Sequence, residues 1–231
     1  QPRSRGLGDV YKRQLGDRVA AFKPQSAFFE VFGAAGIAVL ERVLADIKGH
    51  GAVSVLDAKR GDIGSTMQGY AEAYLHPESP LAADALTLSP FLGFGSLRPA
   101  LELADQHGRG IYVLTRTSNP EGHEVQFAMG EDGRRVAQTM VDAARGAGEH
   151  VGLVIGATHA STGVDLSGFT GSILVPGIGA QGGTIAGLRE VLCQPGLRLL
   201  PTVSRGVLQH GPDAAGMLAE VERLLTSEDA S

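Results

Sequence analysis

A single parallel (β/α)8-type barrel, the TIM-barrel form of the α/β class, is the fold the sequence predicts, and three observations carry the prediction. Seven short runs rich in apolar and β-branched residues recur along the 231-residue chain. Each ends in polar or glycine-containing residues and gives way to helical spacing of apolar positions, the order expected of successive βα units. Polar candidate residues sit at the C-terminal ends of many of these runs, where barrel active sites lie, which favours a barrel over an open, doubly wound sheet.

The predicted strands are 19–23, 53–59, 85–89, 111–116, 152–156, 173–176 and 197–203. Helical patterns are expected over 28–47, 96–107 and 134–147, with a last one over 212–225. Phe28, Phe29 and Phe32 read as core residues of the first helix. Residues 1–14, QPRSRGLGDVYKRQ, offer no apolar strand where an eight-stranded barrel needs its first. The first βα unit is therefore expected to be missing or replaced, leaving residues 15–231 as one barrel domain. The alternative is a disordered N-terminus beside an open barrel, which is less favoured because an exposed strand edge invites aggregation. No internal repeat of fixed period and no linker divides the chain.

Composition narrows the function classes. Hydrophobic residues make up 43% and charged residues 19%, with 33 glycines and no tryptophan, as suits a soluble α/β protein with many tight strand-to-helix turns. A net charge of -5 argues against broad attraction to nucleic acid, yet leaves room for a basic pocket holding one phosphate. The single Cys193 forms no internal disulfide, and no N-terminal segment resembles a signal peptide or membrane span, so a cytoplasmic location is expected.

The densest chemistry lies in LDAKRGDIGST, residues 56–66. In a strand running into a loop, Asp57 and Lys59 at i and i+2 project to one side. Asp62 follows the turn-permitting Gly61 and precedes a helix, where it caps that helix or faces a neighbouring subunit. An Asp-x-Lys pair on its own is more often a structural ion pair. Its position at a barrel mouth tips the balance, because the desolvation cost of two buried charges is only partly returned by pairing. The loop PGIGAQGG, residues 176–183, and Ser204-Arg205-Gly206 end the two runs that would be strands seven and eight of a complete barrel. Barrels often hold a phosphate there, which makes Arg205 the candidate anchor. The 7 histidines lack metal-ligand spacing, so no metal is assigned, and Cys193 reads as packing.

The motif at 56–66 resembles the Asp-x-Lys-x-x-Asp-Ile-x-x-Thr signature of the orotidine monophosphate decarboxylases, in particular their longer-chain bacterial branch. FKPQ (22–25), LTRTSNPEG (114–122), VPGIGAQGG (175–183) and SRG (204–206) match further motifs of that family in order, from about residue 19 to the C-terminus. The resemblance implies a cofactor-free carboxy-lyase that converts orotidine 5'-monophosphate to uridine 5'-monophosphate, the last step of de novo UMP synthesis. It implies that Lys23, Asp57, Lys59 and Asp62 form an alternating charge network. Lys59 would give a proton to C6 of the pyrimidine, Asp57 would lie near the departing carboxylate, and Lys23 would orient Asp57 and contact the ribose. Asp62 and Thr66 would reach the other subunit's site, making a homodimer with shared active sites. Ser118 would read the pyrimidine, and Gln181 would bridge phosphate and base. Pro176, Gly182, Ser204 and Arg205 would complete the substrate contacts. Such a reaction leaves an electron pair in the ring plane, beyond reach of the π system, so a fixed ammonium must stabilise it.

Two rivals follow. Magnesium-dependent sugar-phosphate barrels, such as hexulose phosphate synthase, share Asp-x-Lys-x-x-Asp but place a metal-binding glutamate where this chain has Lys23, whose ammonium would repel Mg²⁺. Alternatively, the chain is an inactive or weak member of the same family. The family's first strand brings a ribose-binding aspartate, and neither Asp9 nor Asp17 stands in the matching context.

Overall fold

The structure is a computed structural model, and it describes residues 18–179, 181–192 and 194–229. Residues 1–14, Asp9, Asp17 and Cys193, about which the sequence raised expectations, lie outside these.

Six strands form one parallel sheet in chain order: β1 (Val55–Arg60), β2 (Ala85–Leu88), β3 (Gly110–Arg116), β4 (Val151–Ile155), β5 (Ser172–Val175) and β6 (Arg198–Pro201). The helices are α1 (Ala27–Glu30), α2 (Gly33–Gly49), α3 (Gly64–Leu75), α4 (Arg98–Gln106), α5 (Gly122–Gln126), α6 (Val136–Ala147), α7 (Ile185–Val191), α8 (Arg205–Leu208) and α9 (Ala214–Asp229). Every crossover, including the helix-free one from β4 to β5, returns the chain to the adjacent parallel position, as a barrel wall requires.

The alternation of side chains sorts the strands into two apolar layers. Leu56, Leu86, Val113, Leu153 and Ile173 face outward and pack under Leu40 and Leu44 of α2, Met67 and Leu75 of α3 and Val141 of α6. Burying each such leucine contributes about 1.5–3 kcal/mol relative to leaving it exposed. Val55, Ala85, Tyr112, Val154 and Leu174 face inward and fill the barrel, with Ala21, Leu114 and Leu200 against them. Asp57 and Thr87 share the parity of Val55 and Ala85, so the sheet itself directs them into the barrel mouth.

Two expectations need correction. The run at 19–23 is not a ladder strand; the chain pairs with β1 only through the parallel bridges Phe22 to Ser54 and Gln25 to Asp57. Pro24 explains this, since it has no N–H to donate, although its carbonyl accepts from Asp57 N at 2.9 Å. The helix expected over 28–47 is two helices, broken at Val31 and Phe32, with Gly33 in the left-handed region at φ 58°. Phe28 and Phe32 are therefore not core residues. They are 75% and 71% exposed, while Phe29 alone of the three packs against the core.

Among the described residues, β6 pairs only with β5, and residues 22–25 pair only with β1. Among the described residues no strand joins β6 to residues 22–25.

Candidate active site

β1 carries an irregularity that shapes the site. Its ladder with β2 runs Leu56 to Leu86 and then Arg60 to Leu88, so four steps on β1 span two on β2. The surplus is a bulge around Asp57–Lys59, a device that re-aims side chains at strand ends. Within it Lys59 has φ 49°, a left-handed conformation that costs a non-glycine residue about 1–2 kcal/mol. Three contacts hold this backbone. The Lys59 N–H donates to Thr87 Oγ1 at 3.0 Å, the Arg60 guanidinium donates to the Ala58 carbonyl at 3.1 Å, and Ser89 N donates to the Arg60 carbonyl at 2.7 Å. Arg60 is itself fixed by an ion pair with Glu30 and by the rings of Tyr70 and Tyr74. Gly61 is required in sequence, because a Cβ there would lie 2.2 Å from the Ser89 carbonyl oxygen.

Asp57 is the hub. Its Oδ2 accepts from Lys23 Nζ at 2.8 Å and from Gln25 Nε2 at 3.1 Å, and its Oδ1 accepts from Lys59 Nζ at 2.6 Å and Thr87 Oγ1 at 2.9 Å. Burial pushes this carboxyl upward, but the charges and hydrogen bonds of Lys23 and Lys59 outweigh it and hold the pKa below the ordinary carboxylate value. The lysines differ in access: the side chain of Lys23 is 16% exposed and that of Lys59 is 44% exposed. One ammonium is thus locked to the carboxylate, and the other is paired yet open to a ligand.

This cluster forms one wall of a cavity of about 990 Å³ at the C-terminal ends of the strands. Ser118 enters it from the loop after β3, Pro176 and Gln181 from the loop after β5, and Ser204 and Arg205 after β6. Ser118 Oγ donates to Gln181 Oε1 at 2.8 Å, so two of these loops meet across the mouth. The glycine-rich loop folds on itself, with Gly182 N donating to the Gly179 carbonyl at 2.8 Å and Gly183 N to the Gly177 carbonyl at 3.0 Å.

The structure thus brings together Lys23, Asp57, Lys59, Ser118, Pro176, Gln181, Ser204 and Arg205. It does not bring Asp62, Thr66 or Gly182 to the cavity lining of this chain. Asp62 is half-buried and accepts from Ile63 N at 2.8 Å, and Thr66 is exposed in the first turn of α3. Two contributors were missed from sequence, Gln25 and Thr87. Gln25 was quoted within FKPQ without a role. Thr87 had a weak signal, as the one polar residue of the fully buried strand ALTL. Among the described residues no group of three or more His, Cys, Asp or Glu is arranged to hold a metal ion.

With this geometry in place, known proteins give a consistent comparison. The family model for orotidine 5'-phosphate decarboxylase / HUMPS matches residues 11–219. A protein of Streptomyces coelicolor named orotidine 5'-phosphate decarboxylase is 52% identical over 215 residues, covering 90% of this chain and 77% of the relative. One of the same name from Salinispora tropica is 51% identical over 218 residues, covering 91% and 78%. A crystal structure from Streptomyces avermitilis, described by the same activity, superposes with a TM-score of 0.88 at 51% identity, covering 94% of this chain and 78% of that one. On the strength of a match across most of its length, the chain belongs to the orotidine 5'-phosphate decarboxylase / HUMPS family.

Proposed function

We propose that the chain decarboxylates orotidine 5'-monophosphate to uridine 5'-monophosphate and carbon dioxide, closing the synthesis of UMP. The observation that carries the reading is Lys59: an accessible ammonium, paired at 2.6 Å with a buried carboxylate, on the wall of a nucleotide-sized cavity. In this reading the bond between C6 and the substrate carboxyl breaks, carbon dioxide departs, and the electron pair stays on C6 in the ring plane. Lys59 Nζ stabilises that pair and then supplies the proton that forms the C6–H bond, taking another from solvent afterwards. Asp57 keeps Lys59 aimed, and Lys23 keeps Asp57 ionised. Arg205 and Ser204 hold the phosphate, and Ser118 and Gln181 meet the base. Neither metal nor organic cofactor enters these steps.

The contact between Lys23 and Asp57 also favours this activity over the magnesium-dependent sugar-phosphate reactions, because an ammonium stands where a divalent ion would bind. The test is the fall in orotidine monophosphate absorbance with purified chain, with and without a chelator. Turnover that survives chelation and disappears in Lys59→Ala supports the proposal; turnover lost on chelation overturns it.

Asp62 and Thr66 act, in the same reading, in the site of a second copy. Their positions off this chain's own cavity support a homodimer, as do the exposed apolar residues Phe32 and Ile63, which also lie off that cavity. No helix of the described residues is long and apolar enough to cross a membrane, in keeping with a cytoplasmic enzyme acting on a small soluble nucleotide.

A second reading rests on the lack of pairing, among the described residues, between β6 and residues 22–25. The barrel then lacks a first βα unit, residues 15–231 are its single domain, and the chain is inactive or weak. Joining such a unit to the chain and repeating the assay separates the readings: activity gained only with the added unit supports the second.

A further inference from the structure

The loop that carries Ser118 is braced from behind by a buried cation. Arg116 ends β3 and is only 8% exposed, and the β3 ladder slips just before it, pairing Arg116 with Ile155. Ile155 belongs to the outer apolar layer, so the slip turns Arg116 away from the cavity, whose lining includes Thr115, Thr117 and Ser118 but not Arg116. A buried guanidinium ordinarily sits against a carboxylate. Here its neighbours are uncharged: the Thr117 carbonyl at 3.4 Å, Gln126 Oε1 at 3.3 Å, His159 Nδ1 at 3.3 Å and the Phe127 ring at 4.5 Å. Its Nε finds no partner among the described residues, and burial alone pulls its pKa below the usual guanidinium range.

These contacts fix a proton. A guanidinium only donates, so His159 Nδ1 must accept, and the ring hydrogen resides on Nε2. That nitrogen lies 2.8 Å from the Thr117 carbonyl and donates to it. Gln126 completes the grip, accepting from Thr117 N at 3.1 Å and donating to Thr117 Oγ1 at 2.7 Å. Every polar group of Thr117 is therefore engaged, by Arg116, His159, Gln126 or Asn119, and the next residue is Ser118. Keeping such a cation buried without a charged partner costs free energy that its hydrogen bonds only partly return.

We infer that Arg116 and His159 are positioning residues for base recognition: through the Thr117 carbonyl they orient Ser118 toward the pyrimidine. The inference rests on the decarboxylase reading. The strut acts on the nucleobase half of the cavity and leaves the phosphate half, at Ser204 and Arg205, untouched. Its signature is a split between ligands that carry a base and ligands that do not.

The experiment measures inhibition of the full chain by uridine 5'-monophosphate and by ribose 5-phosphate. His159→Leu removes both ring contacts and is expected to weaken uridine monophosphate by about tenfold, the loss of roughly one positioned polar contact. Ribose 5-phosphate inhibition stays within about twofold of the parent chain by the same arithmetic. His159→Gln, whose amide supplies one donor and one acceptor, restores most of the uridine monophosphate binding. Arg116→Lys keeps the charge but not the fork, and should show the same split should the leucine variant not fold. Equal weakening of both ligands, or unchanged uridine monophosphate inhibition in His159→Leu and Arg116→Lys, overturns the strut. A parent chain that binds uridine monophosphate no better than ribose 5-phosphate overturns the decarboxylase reading itself, and the strut with it.

Discussion

Thr87 touches Lys59 from behind: its hydroxyl accepts the Lys59 backbone N–H at 3.0 Å while donating to Asp57 Oδ1 at 2.9 Å. One buried oxygen thus ties the strained backbone of the lysine to the carboxylate that pairs with its side chain. Thr87→Val keeps the shape and removes both bonds, leaving the Lys59 N–H and Asp57 Oδ1 each short of a partner. The expected loss is about 1–3 kcal/mol of stability, with a fall in turnover. Thr87→Ser, which keeps the hydroxyl, should lie near the parent chain in both. Denaturant melts and initial rates of the two variants check this.

The ion cluster makes a pH prediction whose sign follows from Asp57. Its folded pKa is depressed below 3.8, so its contribution to stability is fully present above that value and is lost as pH falls through the lower, folded pKa. Asp57→Asn removes the contribution and leaves Lys23 beside a neutral amide, a cost of about 3 kcal/mol at neutral pH. The stability gap between parent and variant should hold from neutral pH down to about 4 and close only below it. A gap that already closes between pH 7 and 5 would contradict the assignment.

Lys59 combines a needed side chain with an unfavourable backbone, and substitutions separate the two. Lys59→Ala and Lys59→Gly should each lower turnover by at least about 10²–10⁴-fold, the range of a lost general acid. Yet the glycine protein should be the more stable of the pair by about 1 kcal/mol, because φ 49° costs glycine nothing. The ranking, read from melting temperatures, tests whether the strain is real. Greater stability in the alanine protein would mean that the bulge relaxes.

Gly61 allows β1 to meet the Ser89 carbonyl. Gly61→Ala puts a Cβ 2.2 Å from a backbone oxygen that no rotamer change can move. The expected cost is about 1–3 kcal/mol, with reduced turnover because the displaced backbone begins two residues after Lys59. Gly64→Ala tests backbone strain without a clash, since Gly64 is left-handed, at φ 53°, and its Cβ would meet nothing within 4 Å. It should lose stability and retain most turnover.

Much of this arrangement was legible in the residues, and the exceptions have physical causes. Short apolar, β-rich runs located β3 and β4 to within a residue, because strands buried on both faces read as continuous Val, Ile and Leu. The spacing of Asp57 and Lys59 correctly put both in one site, although the bulge that aims them leaves no trace in apolar pattern. The last run was predicted too long: β6 ends at Pro201, which cannot donate to a further ladder bond. Phe28 and Phe32 misled because apolar spacing identifies a face to be covered without saying whether the cover is the core or another molecule. Thr87 and Gln25 escaped notice because their partner, Asp57, lies 30 and 32 residues away along the chain.

Asp62 lies off its own chain's cavity, and the proposed mechanism places it in the site of a second copy. If each site combines Lys59 of one copy with Asp62 of the other, Lys59→Ala and Asp62→Ala homodimers should both be nearly inactive. Mixing them under conditions that exchange subunits creates heterodimers in which one site holds both mutated residues and the other holds neither. Random pairing makes half the dimers mixed and half their sites intact, so activity should recover to about one quarter of the parent value in a two-fold symmetric dimer. Recovery should depend on subunit exchange and should vanish when Phe32→Asp is added to both proteins, since a charge on that exposed ring, which does not line the cavity, would oppose pairing. An Asp62→Ala chain with full activity, or mixtures that never exceed their components, would confine the active site to a single chain.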